Sequence, residues 1–288
     1  MQAMLEVPPP MGSGADETAP ALTSRIKSEA QSCGGLDFLN ILEVIEENHA
    51  GRPLYRRMDV SEFAMMLKGS AVAELVVNKI VVHLGSEDKF REWLMENYSN
   101  GIHDFVFVGG SRSEAVYPGP SVVRANEIAS ELKGINIGNI CIPSRQGECE
   151  RLVSRTKSGT SFFTTQFLFD SSKVKDLLSR YSNACEEQGV KRSSFFMSFA
   201  PAVTKFDLDF FKWLDADIPK STEAVLRGSR DMELASIGIA SKAFFDIRDF
   251  AEEEDLGISI SLNVASRSVS KLGPALRMLK ELRLKNNK

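Results

Sequence analysis

The 288-residue chain is poor in residues that bind metals or form disulfides: four cysteines, three histidines, and no Cys-x-x-Cys pair. Cys33, Cys141, Cys149 and Cys185 are spaced too widely for a zinc or dithiol site, and His49, His83 and His103 do not complete one. They read as reduced thiols in or near the core of a cytoplasmic protein. Basic residues are also in short supply. Lys plus Arg number 35 against 39 Asp plus Glu, a net charge of −4, so no basic surface argues for nucleic acid. No apolar run approaches the roughly 18 residues of a membrane span. The start, Met1 to Glu6, lacks the basic and apolar regions of a secretory signal. The expectation is a cytoplasmic protein with neither nucleic acid nor membrane as partner.

What the chain does have is alternation. With 43% hydrophobic and 26% charged residues, it carries short apolar runs separated by amphipathic segments from end to end. Expected strands are Met4–Val7, Phe38–Val44, Lys79–His83, Asp104–Val108, Asn136–Ile142, Phe162–Thr165, Phe195–Phe199 and Gly257–Leu262. Expected helices are Ala21–Gln31, Val60–Leu67, Glu87–Asn97, Ser121–Leu132, Glu148–Lys157, Ser171–Gln188, Asp207–Leu214, Asp231–Glu253 and Val269–Leu284. Pro8 to Ala21 and Glu46 to Asp59 read as loops, and no low-complexity linker divides the series. About eight β/α units in one domain, residues 1–288, predict an α/β fold of the (β/α)8 TIM-barrel type. A doubly wound sheet is the structural competitor, because periodicity does not show that a sheet closes.

In a barrel the active site lies where the strands end. The polar residues there are Glu6, Glu43, His83, Ser111 with Arg112 and Glu114, Ser144 with Arg145, Gln166, Ser198, and Asn263 with Arg267. Glu6 stands between Leu5 and Val7, ahead of Pro8-Pro9-Pro10. Desolvation at the end of a buried strand raises a carboxyl pKa, which suits a general acid near neutrality; the alternative is a surface glutamate on a frayed terminus. Gln166 ends the apolar run Phe162 to Thr165 with an amide, which offers a planar ligand a donor and an acceptor together. Gly109 and Gly110 permit close backbone approach to a ligand, though such pairs are common in tight turns.

These segments resemble the methylenetetrahydrofolate reductase family over nearly the whole chain. Thr164-Thr165-Gln166-Phe167-Leu168-Phe169-Asp170 is similar to that family's sixth-strand motif, Thr-Gln-Phe-Phe-Phe-Asp. Leu5-Glu6-Val7-Pro8-Pro9 is similar to its opening, and Asn78 to Leu84 with Asn100-Gly101-Ile102 to its third and fourth strands. The resemblance implies that Glu6 is the acid that opens a methylene bridge and that Gln166 holds the pterin edge. It implies substrate contacts at Ser111, Phe206 and Arg267, and cofactor contacts at His83, Gly109, Gly110, Arg145 and Arg155.

Two departures stand out. The family's Arg-Gly-Asp after the fourth strand is replaced by Gly109-Gly110-Ser111-Arg112-Ser113-Glu114, which removes the aspartate. Its flavin-holding segment is shortened to Ile142-Pro143-Ser144-Arg145-Gln146-Gly147-Glu148, similar to a divergent branch associated with flavin-free chemistry. The expectation is therefore FAD weak or absent, with NADH or NADPH as hydride donor. The implied reaction is reduction of 5,10-methylenetetrahydrofolate, or another methylene-tetrahydropterin, to the 5-methyl form in one-carbon and methionine metabolism. The alternative is a non-catalytic pterin- or nucleotide-binding protein, or a partner subunit of a one-carbon complex.

Overall fold

Eight parallel strands hydrogen-bond in the cyclic order β1-β10-β9-β8-β7-β6-β5-β2 and close a barrel in the computed structural model. The strands are β1 (Ala3–Val7), β2 (Phe38–Ile41), β5 (Glu74–Ile80), β6 (Asp104–Val108), β7 (Asn136–Cys141), β8 (Phe162–Thr165), β9 (Ser194–Phe199) and β10 (Ile260–Ala265). A small hairpin, β3 (Glu46–Glu47) and β4 (Pro53–Leu54), lies outside the ring. Helices α1 (Ala15–Gln31), α2 (Val60–Leu67), α3 (Glu87–Ser99), α4 (Val122–Ala129), α5 (Glu148–Lys157), α6 (Ser172–Glu187), α7 (Lys205–Trp213), α8 (Lys220–Gly228), α9 (Met232–Glu253) and α10 (Leu272–Asn286) occupy the connections. The structure describes residues 1–11, 15–31, 36–68, 73–112, 114–268 and 271–286. Cys33 and the expected helix start at Val269 lie outside them. Among the described residues, no helix is long and apolar enough to cross a membrane.

Side-chain alternation along each strand builds two cores. Leu5, Val77, Phe105, Phe163, Phe195 and Leu262 point outward into the main cluster beneath the helices. Met4, Val76, Val106, Phe162 and Phe196 form a separate cluster inside the barrel. Gly138 makes room there, because a Cβ on it would stand 2.4 Å from the Phe162 ring. Two residues further along the same strands come Glu6, Asn78, Thr164 and Ser198, all buried. The interior is thus apolar below and polar just under the mouth.

Several expected boundaries move, each for a physical reason. The third barrel strand is Glu74–Ile80, and Val81–His83 forms a 3-10 turn instead of continuing it. Val81 and Val82 stay buried past the ladder's end, and the Val82 carbonyl accepts from the Gly119 N–H at 2.9 Å. The second strand stops at Ile41, after which Glu43 turns back to the Ile80 N–H at 2.6 Å. The last strand is shifted to Ile260–Ala265, because Gly257 takes a positive φ in the preceding turn. Helix α1 begins inside the expected loop and carries Pro20. The β3–β4 hairpin and α8 were not expected. Cys141, Cys149 and Cys185 are free and buried.

Phe163 is fully buried between Phe195, 5.1 Å away, and Tyr181, 6.1 Å away. Phe163→Ala should destabilise the fold by about 3–5 kcal/mol through the cavity it leaves. Chemical denaturation checks this, and a loss under about 1 kcal/mol would show that the barrel–helix layer collapses around the gap.

Candidate active site at the barrel mouth

Glu6 leaves β1 pointing into the barrel, 5% exposed. Its register partner on β2 is Asn40, whose Nδ2 donates to the Glu6 Oε1 at 2.9 Å. Asn263, on β10, lies beside the carboxyl and favours its charged form, and donates through its Nδ2 to the Ser198 Oγ at 2.9 Å. Burial pushes the Glu6 carboxyl above its ordinary value, and the two amides offset this only in part. The amide oxygens of Asn40 and Asn263, both amide atoms of Asn78 and the Thr164 hydroxyl lack partners in this layer. A protonated Glu6 offers such oxygens a donor that its carboxylate does not. The arrangement raises the proton affinity of this carboxyl.

Gln166 follows β8 on the same end of the barrel. Its Nε2 donates to the Leu214 carbonyl at 2.8 Å, and its Oε1 accepts from the Phe167 N–H at 2.9 Å. The amide fastens the end of α7 to β8 and retains one N–H and one acceptor site. Beside it, Pro143, Ser144, Asp170, Lys173 and Asp217 line a small cavity of about 20 Å³.

Ser111 and His83, on the β6 and β5 side, converge on a residue that sequence reasoning missed. Glu47 of the hairpin accepts from the Ser111 Oγ at 2.7 Å, the Ser111 N–H at 3.2 Å and the Tyr117 hydroxyl at 2.8 Å. The His83 Nε2 is 3.0 Å from its other oxygen contact, Oε1. Burial alone would raise the Glu47 carboxyl, but the bonds from Ser111, Tyr117 and His83 outweigh it and bring it below its ordinary value. An acidic loop after the second strand was the only sequence signal for this carboxylate. The His83 side chain is 2% exposed and packs edge-on against Tyr117; its Nε2 meets Glu47, and its buried Nδ1 has no hydrogen-bond partner. Gly110 serves the same cluster: a Cβ there would meet the Tyr117 ring at 2.0 Å. Gly109 lies against Val122.

Arg145 precedes α5, and Arg155 lies in its last turn. The Arg155 Nη1 donates to the Ile140 carbonyl at 2.6 Å, which ties the helix to β7. Arg145 lies 3.7 Å from Glu148. Glu148 is buried and accepts from the Ile142 N–H at 2.8 Å, and Glu150 adds a second acid to the first turn. The helix therefore supplies its own anions where a dinucleotide pyrophosphate would need free N–H groups and cations. Gly110 and Arg155 are likewise engaged by protein groups.

Arg267, after β10, completes the mouth. Its guanidinium stacks over Phe206 at 4.8 Å and Phe210 at 5.5 Å and pairs with Asp207 at 3.1 Å. Phe206 is 64% exposed, so the stack presents an aromatic face to solvent. Glu6 and Arg267 sit on adjacent strands, Gln166 three positions around the ring, and the Glu47 cluster on the opposite arc.

The closed parallel barrel, with a buried carboxyl and an exposed aromatic–guanidinium stack at its C-terminal mouth, is a (β/α)8 TIM barrel. Residues 3–241 match the family model of mycobacterial methylenetetrahydrofolate reductase, and the chain belongs to that family. Among solved structures it is similar to an uncharacterized protein from Clostridium thermocellum that binds two copies of 5-methyl-5,6,7,8-tetrahydrofolic acid. The TM-score is 0.80 at 18% identity, covering 99% of this chain and 96% of that one. The Bacillus cereus spore cortex-lytic enzyme SleL aligns at a TM-score of 0.48 with 10% identity, over 98% of this chain and 74% of its own. No curated protein matches the sequence.

The raised Glu6 carboxyl couples stability to pH. The folded state holds this proton more tightly than the unfolded chain, so its contribution is full below about 4.5 and is lost as pH climbs through the folded value. From pH 4.5 upward, the melting temperature of the wild type should fall relative to that of Glu6→Gln. A difference that stays constant from pH 4 to 8, measured by calorimetry, would mean that Glu6 titrates alike in both states.

Proposed function

We propose that this protein reduces a 5,10-methylene-tetrahydropterin, with folate as the carrier, to the 5-methyl form using NADH or NADPH directly. The observation that carries the reading is the Glu6 carboxyl, buried among the Asn40 and Asn263 amides at the barrel mouth. Family membership supports it, as does the folate ligand of the Clostridium thermocellum protein. Glu6 gives its proton to N10 of the bound substrate as the bond from N10 to the bridging methylene breaks. The lone pair on N5 forms an iminium with that carbon. Hydride from C4 of the dihydronicotinamide then adds to the methylene carbon, giving the N5-methyl group and the oxidised nicotinamide. The Glu6 carboxylate recovers its proton from water.

Direct transfer needs no flavin, because a positioned iminium accepts hydride once the two rings are held face to face. Gln166 offers its remaining N–H and acceptor to the pterin edge, and the Phe206–Arg267 stack offers a flat surface to an aryl ring. Ser111 and His83 act through Glu47, by fixing the loops that wall the opposite side of the mouth.

A second reading, folate binding without turnover, is favoured by the side chains at the mouth that protein contacts already engage, Glu47 and Arg155 above all. The test is NAD(P)H oxidation by the purified, flavin-free protein on addition of 5,10-methylenetetrahydrofolate, with 5-methyltetrahydrofolate affinity measured in parallel. Glu6→Gln should lower turnover by about 10²–10⁴-fold and leave product affinity nearly unchanged. Near-normal turnover in that variant removes Glu6 from the chemistry. Tight folate binding with no turnover in the wild type establishes the second reading.

A further inference from the structure

A cavity of about 190 Å³ opens beside the exit of β1, walled by Pro9, Glu43, Tyr55, Arg57, Met58 and Asp59. Its distinctive member is Arg57. The guanidinium is half-buried, and among the described residues no carboxylate lies within ion-pairing distance of it. Its one hydrogen bond runs from Nη1 to the Pro9 carbonyl at 2.7 Å. A guanidinium carries five N–H donors, so most are unspent. The two acids in the wall share one counter-charge and face it instead of Arg57. The Lys79 Nζ lies 2.7 Å from Glu43 and 3.2 Å from Asp59, and these carboxylates also accept from the Ile80 and Ser61 N–H groups. The adjacent Arg56 pairs with Glu46 at the surface.

The cation is held in place. Arg57 forms a backbone bridge with Met11, and the Met58 N–H donates to the Pro10 carbonyl at 3.2 Å, so the loop is pinned to the β1 exit. Burial without a counter-charge pulls the guanidinium below its ordinary pKa, a cost that a bound anion would remove. Around it, Met11 is 59% exposed, Leu54 42% and Tyr55 64%, which gives the rim an apolar and aromatic character. At about 30 Å³ per water the space holds roughly six waters, enough for the acidic end of a ligand and too little for a fused bicyclic ring with its substituents.

We propose that this cavity is a subsite for the anionic end of the ligand at the mouth, with Arg57 pairing its carboxylate and Tyr55 and Met11 flanking the segment behind it. This rests on the folate reading above for the identity of the ligand. Pro9 is three residues past Glu6, at most about 10 Å of extended chain, a span comparable to that from N10 across the p-aminobenzoyl group to the glutamyl carboxylate. A pterin held at Glu6 can therefore set its glutamyl carboxylate on Arg57. The other anion available at the mouth is a phosphate of the nicotinamide dinucleotide, with the same chemistry toward a guanidinium.

Titration calorimetry of the whole chain separates these sources. Wild type, Arg57→Gln and Arg57→Lys would each be titrated with 5-methyltetrahydrofolate, its analogue lacking the glutamate, p-aminobenzoylglutamate and NADPH. The expected result is a loss of about 10–100-fold for Arg57→Gln with the two glutamate-bearing ligands, none with the truncated analogue, and partial recovery in Arg57→Lys. A loss confined to NADPH supports the anion subsite and assigns it to the dinucleotide phosphate. Equal losses with the full and truncated folates, or no loss with any ligand, overturn the proposal. If the wild type binds p-aminobenzoylglutamate through Arg57 but no folate, the subsite stands and the folate reading falls. A melting curve for each variant shows whether the loop remains folded.

Discussion

Ring closure at β1 is the constraint from which the rest follows. This short strand pairs with β10 on one side and β2 on the other, and its register sets Glu6 beside Asn40. A one-residue slip would turn Glu6 toward the helices and Leu5 into the lumen, reversing both faces at once. The buried outward set, Ala3, Leu5 and Val7, makes that slip costly, so hydrophobic packing outside the barrel aims the acid inside it. The carboxyl is then far from bulk water and close to neutral amides, and desolvation sets its proton affinity.

Much of the mouth is spent on holding loops. Glu47 binds the hairpin to the β6–α4 connection through Ser111 and Tyr117 and to the turn after β5 through His83. Lys79 binds the loop after β2 to the start of α2 through Glu43 and Asp59. Glu148 and Arg155 do the same between β7 and α5. Each contact removes a polar group from the supply open to a ligand. The β1 exit and the Arg267 stack are different: a half-bonded guanidinium on one side and an exposed aromatic face on the other leave capacity for ligand.

How much was legible differs by feature. Spacing left Glu6 open between a buried acid and a surface glutamate, the family resemblance singled it out, and the structure buries it at the mouth. His83 was placed at a strand end because Val81 and Val82 prolong the apolar run, yet that burial comes from a 3-10 turn packed under α4. Hydrophobicity reports burial and is silent on whether a ladder continues. Glu47 escaped notice because a glutamate in a polar loop looks like any solvated acid until its four hydrogen bonds are seen. The N-terminal part of α1 escaped because Pro20 and its neighbours look like loop when read one residue at a time.

The sequence by itself determined the alternation of strands and helices, and hence a fold that buries both faces of a parallel sheet, because side-chain periodicity is a local property. It also determined which strand-end residues carry usable chemistry, since a carboxyl or an amide keeps its chemical identity wherever the chain goes. Tertiary structure alone decided that the sheet closes, and that Asn40 and Asn263 meet Glu6 from strands 34 residues later and near the chain's far end. It also decided that Glu47 consumes His83 and Ser111 while Arg57 keeps most of its donors. Those outcomes depend on distances between segments remote in sequence, and on which polar groups packing has already paired.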